Sequence, residues 1–195
     1  MTLTAQSVSA LLVAFRSSDP TPGGGSASAL AGAVGASLLA MVAGLAKPRT
    51  TGDEDLVRLQ AAGARCAALA LRLEAMIDQD TDAYDRVVAA YRLPKSTEDE
   101  KATRSARIQE ALQAATDTPL DVMRLCAEAL GLAPTVGQLG NQNAASDVKV
   151  AAGMLRAGLS GAHENVDINL GSLNNAGYVA RVRDEATGLA ATAAQ

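Results

Sequence analysis

The chain has 195 residues, 48% of them hydrophobic but only 2% aromatic, with 17 Lys and Arg against 21 Asp and Glu for a formal net charge of −4. That length buries a full core in a single domain without disulfide or metal staples. No basic block interleaved with aromatics marks a nucleic-acid surface, two cysteines make no disulfide framework, and the sole histidine, His163, cannot anchor a multi-histidine metal site.

The start of the chain lacks the basic segment, apolar run and cleavage site of a secretory leader, and a cytoplasmic location is expected. Val8, Leu11, Leu12 and Phe15 share one face of a short first helix. Ser17 to Gly25 reads as a loop, restricted by Pro20 and Pro22 and freed again by Gly23, Gly24 and Gly25. Ser26 is placed to cap the next helix, which runs to about Ala46 with Leu30, Val34, Leu38, Met41 and Leu45 on one side. Its other faces carry Ala31, Gly32, Gly35 and Ala36. A glycine inside a helix costs about 1 kcal/mol relative to alanine, so their repeated use implies a backbone approached closely by another helix or a ligand. Residues 27–46 are uncharged and about as long as a membrane span. Their small side chains fit close helix packing better, and no membrane partner is expected.

Asp53 to Tyr91 is the longest uninterrupted pattern. Leu59, Gly63, Cys66, Ala70, Leu73, Ile77, Asp80, Tyr84, Val87 and Tyr91 alternate at spacings of three and four, which defines one helical face. Asp80 is the only carboxylate on this seam. It is either a structural residue bonded to a helix end or a buried lysine, or a carboxylate tuned for proton transfer. Tyr84, one turn on, either packs with its hydroxyl at the surface or bonds something bound near Asp80. Glu74, Asp78 and Asp82 are expected on wetter faces.

Residues 93–96 end this helix, and Thr97 with Glu100 has the spacing of a capping box. The following helix reaches Pro119, which kinks it or opens a separate helix carrying Val122, Cys126, Ala129 and Leu130. Residues 131–134 read as a break and 136–143 as a helical turn and loop. Asn141, Asn143, Ser146 and Asp147 form a polar cluster whose plainest role is capping. A helix from Ser146 to Gly158 continues past Asn165 and Asn169, whose amides either satisfy each other across helices or read a planar heterocycle. Residues 179–190 make a last amphipathic helix. Nothing alternates long enough for a strand. The expected fold is all-α, a single-domain helical bundle over 1–195 with one long central helix. Its flat alanine-rich faces could serve a subunit interface, and a homodimer is expected.

The Gly23-Gly24-Gly25-Ser26 turn is either an ordinary glycine loop between helices or an anion loop, since it sets backbone N–H groups before a helix in a geometry that can hold a carboxylate or phosphate. It is neither a P-loop nor a dinucleotide fingerprint. No nucleophile triad and no metal-ligand spacing is recognisable.

Taken together these motifs resemble the formimidoyltetrahydrofolate cyclodeaminase and methenyltetrahydrofolate cyclohydrolase family. The specific part is Pro20-Thr21-Pro22-Gly23-Gly24-Gly25-Ser26, continuing to Leu30. Gly32 to Ala36, Met41-Val42, Asp80 to Tyr84 (where the family usually has phenylalanine), Leu93-Pro94-Lys95, Ala115 to Leu120, Ser146-Asp147 and Asn165 to Leu170 follow in the family's order. The resemblance implies an all-helical homodimer that takes a reduced folate as substrate, without metal or redox cofactor. It implies that Asp80 is the catalytic carboxylate and that Gly23, Gly24, Gly25, Ser26, Tyr84, Lys95, Asn143, Asp147, Asn165 and Asn169 bind the substrate. Cyclohydrolase activity is expected first, cyclodeaminase activity second, and a non-catalytic folate-binding or interaction role third. Formiminotransferase activity is not expected. The chain departs from the family at Gly44 to Arg49 and at Ser172 to Asn175.

Overall fold

The computed structural model describes residues 2–45 and 52–193. Among them lie six α-helices, one short 3-10 turn and no strand. Helix α1 is Val8–Phe15, capped by Ser7, whose side chain accepts from Ala10 N. Only Leu11 of its apolar face is buried; Val8 and Leu12 are exposed.

Helix α2 is Gly24–Gly44 and begins before the expected cap, with Gly23 at the N-cap position and Ser26 inside the first turn. Its buried side is the small-residue side, as its glycines imply, with Leu30 and Leu38 packed at the edge. Gly25, Ala29, Gly32, Gly35, Ala36 and Leu39 face inward, while Val34, Met41 and Leu45 are 40–45% exposed. The reason is backbone proximity. A Cβ added at Gly35 would stand 2.7 Å from Ala151 O, and one at Gly158 would stand 2.7 Å from Ser28 O. Small residues therefore let neighbouring helices close to distances that leucines forbid. By length and composition α2 could cross a membrane, yet this side of it is packed between other helices.

Helix α3, Asp53–Tyr91, coincides with the long seam. Leu59, Cys66, Leu73 and Ile77 are buried, and the seam comes to the surface beyond Ile77, where Tyr84 is exposed. Helix α4, Glu98–Leu139, opens on the full Thr97–Glu100 capping box and runs unbroken through Pro119 and Pro134. No separate helix opens at Pro119, and the expected break at 131–134 is absent. A proline inside a helix costs about 3 kcal/mol, and the burial of Leu120, Met123, Leu125, Cys126, Ala129 and Val136 along α4 outweighs it. After the 3-10 turn Gln142–Ala144 come α5, Ala145–Leu170, and α6, Ala176–Ala193.

Helices α2, α3, α4 and α5 form an up-down-up-down bundle in which α2 packs on α3 and α5, and α4 packs on the same two. Helix α6 lies outside against α4 and α5, tied by Arg124, which bonds Glu185 Oε2 at 2.8 Å and Asp121 Oδ1 at 2.7 Å. The antiparallel course of α2 and α3 brings the glycine turn to Asp80.

Candidate active site

Asp80 meets the first turn of α2 through one oxygen. Ser26 N–H donates to Asp80 Oδ2 at 2.8 Å, and Ser26 Oγ lies 2.9 Å from the same oxygen. Ser26 Oγ is also 2.9 Å from Ile77 O, so a single hydroxyl proton serves two acceptors. The anion slot offered by the glycine turn is thus filled from within the chain, by the carboxylate of Asp80 at the N-terminus of α2. Ser26 does not cap the helix; it anchors the carboxylate.

The second oxygen is free. Among the described residues Asp80 Oδ1 accepts no hydrogen bond, and the only buried side-chain oxygen or nitrogen without a partner is Thr81 Oγ1. Asp80 Oδ1 therefore opens to solvent. It sits in the space left by a missing side chain, because a Cβ at Gly25 would collide with Oδ1 and lie 2.5 Å from Cγ. Burial pushes the Asp80 carboxyl above the usual carboxylate range, and the two bonds from Ser26 pull it part of the way back. No charged side chain is among the causes; α2 carries no titratable residue.

Two other expected residues join this corner. Asn165 on α5 donates through Nδ2 to Gly161 O at 2.7 Å, which fixes its amide beside Gly24, whose added Cβ would be 3.3 Å from Nδ2. Tyr84 follows Asp80 by one turn. It lines a cleft of about 480 Å³ with Pro20, Asp85, Val88, Ala89 and Arg92. Gly23 backs onto Pro20, 3.7 Å from its carbonyl oxygen to the Cβ it lacks.

Of the four other expected residues, Asn169 is one turn beyond Asn165 on α5 and three stand farther from Asp80 within one chain. Asn169 donates Nδ2 to Ala115 O at 2.9 Å, so one of its two amide N–H groups is engaged in the bundle. Asn143, in the 3-10 turn, and Asp147, in the first turn of α5, stand near the other end of α2, where a Cβ at Gly140 would be 3.2 Å from Val42 Cγ1. At about 1.5 Å per residue that end is about 25 Å from Gly25. Lys95 is exposed in the connection between α3 and α4, beyond an α3 terminus about 16 Å along the axis from Asp80.

Asp78, read as merely solvated, bonds Leu3 N at 2.6 Å and Thr4 Oγ1 at 2.7 Å and fastens the N-terminal segment to α3. Only its spacing from Asp80 on the helix marked it. Cys66 and Cys126 are buried, and burial pushes their thiols up to about 11 and about 12, far from nucleophilic use. Among the described residues no three His, Cys, Asp or Glu cluster as a metal site would. Most of the departure at Gly44 to Arg49 lies outside the described residues, which omit 46–51.

A family profile described as formiminotransferase-cyclodeaminase matches residues 7–188. The chain belongs to this family. The resemblance carried by the glycine turn and the Asp80 motif thus names the right group. Within the formiminotransferase-cyclodeaminase family, the chain is 41% identical to a methenyltetrahydrofolate cyclohydrolase of Methylorubrum extorquens, over 96% of this chain and 90% of that one. It is 34% identical to the formimidoyltransferase-cyclodeaminase of Sus scrofa over 86% of this chain, a match that spans 31% of the longer protein. The fold superposes on the crystal structure of a formiminotetrahydrofolate cyclodeaminase from Thermotoga maritima with a TM-score of 0.87, at 25% identity, covering 97% of this chain and 91% of that one.

Proposed function

We propose that this chain is a methenyltetrahydrofolate cyclohydrolase that opens 5,10-methenyltetrahydrofolate to 10-formyltetrahydrofolate. The observation that carries the reading is the division of labour at Asp80: Oδ2 is held by Ser26, while Oδ1 is free and faces solvent beside the glycine turn. The end-to-end similarity to a protein of that name supports it.

The chemistry follows from this geometry. The methenyl carbon between N5 and N10 is electrophilic. Water attacks it, and Oδ1 of the ionised carboxylate takes a proton as the new C–O bond forms. The product is a tetrahedral carbon bearing both nitrogens. Asp80 returns the proton to N5 as the C–N5 bond breaks, which leaves the formyl group on N10, and the second proton of the water goes to solvent. A half-buried carboxylate with a raised proton affinity suits both transfers. The same oxygen could serve the cyclodeaminase reaction, in which N10 attacks a formimino carbon on N5 and ammonia leaves. The likeness to the Thermotoga maritima cyclodeaminase favours that second reading.

The working unit in this proposal is a homodimer. Helix α2 carries no charged residue, and Val34 and Met41 are exposed on it together with Val150 on the adjoining α5. An uncharged face of this kind is self-complementary in an isologous pair. If α2 of two copies crosses antiparallel about Val34, the 143–147 end of one chain comes to the Asp80 end of the other.

The deciding experiment follows the near-ultraviolet absorbance of 5,10-methenyltetrahydrofolate with wild type and Asp80→Asn beside an uncatalysed control. Wild-type acceleration lost by at least about a hundredfold in Asp80→Asn is the expected outcome. No acceleration by wild type, but ammonia release from 5-formiminotetrahydrofolate, transfers the assignment to the cyclodeaminase.

A further inference from the structure

Asp80, Tyr84, Val88 and Arg92 follow one another at intervals of four along α3. Residues so spaced form a single ridge on a helix. Its chemical end is the free oxygen of Asp80, its middle is aromatic and aliphatic, and its far end is a cation. Tyr84, Val88 and Arg92 of this ridge line a cleft of about 480 Å³ with Pro20, and Asp80 stands one turn before its Tyr84 end. Arg92 belongs to the last residue of the α3 terminus, as its C-cap, and pairs with no carboxylate among the described residues.

We propose that this cleft is the tail site of the substrate, in which the aminobenzoyl ring lies over Tyr84 and Val88 and the glutamate carboxylates bind Arg92. The inference rests on the folate reading above. The chemistry of such a ligand runs in the same order as the ridge: a reacting carbon, a flat apolar ring, then anionic carboxylates. A guanidinium takes a carboxylate through two parallel N–H···O bonds. Asp85, which also lines the cleft, sets a negative charge between the two ends and disfavours a carboxylate stopped short of Arg92.

The test compares 5,10-methenyltetrahydrofolate with 5,10-methenyltetrahydropteroate, which lacks the glutamate, on wild type, Arg92→Ala and Arg86→Ala. Arg86 lines a separate cleft with Leu93 and Arg107 and serves as the control. Arg92→Ala should raise KM for the folate by roughly five- to tenfold, less at high salt, with kcat unchanged. It should leave the pteroate unaffected, and Arg86→Ala should change neither substrate. Calorimetric binding of 5-formyltetrahydrofolate gives the same comparison without turnover. An equal penalty on both substrates, or none on the folate, overturns the tail site while leaving the folate reading intact. Absence of both binding and turnover in the wild type removes the folate reading and the tail site with it.

Discussion

Asn169 Nδ2 lies 2.9 Å from Ala115 O, the one carbonyl in that turn of α4 that Pro119 deprives of its helical donor. The side chain on α5 supplies the hydrogen bond that the proline removes from α4, and so locks the two helices in register. Asn169→Ala should lower stability by about 1–2 kcal/mol in urea denaturation, because it leaves a carbonyl in the bundle unpaired. The folded variant should keep a KM for 5,10-methenyltetrahydrofolate within about twofold of wild type, since a group outside the ligand contact leaves binding alone. A tenfold rise in KM with unchanged stability would return Asn169 to the substrate site, where the family resemblance puts it.

The glycines of α2 separate catalysis from packing. Alanine is the better helix former by about 1 kcal/mol, so Gly25→Ala in the first turn should cost the fold little. Its methyl group, however, needs the space that Asp80 Oδ1 occupies. Gly25→Ala should therefore fold with a near-native melting temperature and lose cyclohydrolase activity. Gly35→Ala should do the reverse. Its Cβ would press on the Ala151 carbonyl at 2.7 Å and on Leu155 Cγ at 2.7 Å, forcing α2 and α5 apart. A marked fall in melting temperature is expected, with activity per folded molecule retained at low temperature.

Ser26 and Asp80 predict the pH dependence. Burial raises the Asp80 proton affinity and the two Ser26 bonds lower it, with burial the larger cause. Activity that needs the ionised carboxylate should rise with pH along a limb set by Asp80. Ser26→Ala removes one of the opposing bonds, so the limb should move to higher pH. A kcat lowered equally at every pH would assign Ser26 to packing instead. Stability follows with a definite sign. The folded chain holds this proton more tightly than the unfolded chain, so protonation favours folding. That contribution is complete below the ordinary carboxylate range and is lost as pH rises through the raised value. Asp80→Asn, neutral throughout, should gain melting temperature relative to wild type as pH increases across that window.

Much of this was legible in the residues. The seam from Asp53 to Tyr91 delimits α3 because the pattern is long, proline-free and periodic. Asp80 stands out because a carboxylate on such a face needs a reason. Two features were hidden for physical causes. Proline normally stops a helix, and the burial along α4 together with a donor on another helix, Asn169, lets α4 continue at Pro119. That the glycines of α2 meet another backbone was readable, but not that the partner is α5 or that Val34 and Met41 stay exposed. The role of Ser26 was misplaced by the same logic: it matches a capping residue locally, but its partner is 54 positions away in Asp80. Asp147 belongs to the family motif and Asn143 to the same polar cluster, yet a single chain separates them from Asp80 by most of the length of α2.

That separation yields the strongest test of the homodimer. If an uncharged α2 face pairs with its copy, a charge there should break the pair. Val34→Glu should run as a monomer in sedimentation, with activity lost, because half of each site would leave with the second chain. Composite sites also make an arithmetic prediction. Asp80→Asn and Asp147→Asn should each be inactive alone. Mixed, unfolded and refolded together, they should form heterodimers in which one site carries both lesions and the other carries none, recovering about a quarter of wild-type activity. An inactive mixture of well-folded dimers would place the whole site within one chain. An active Asp147→Asn homodimer would remove Asp147 from the chemistry altogether.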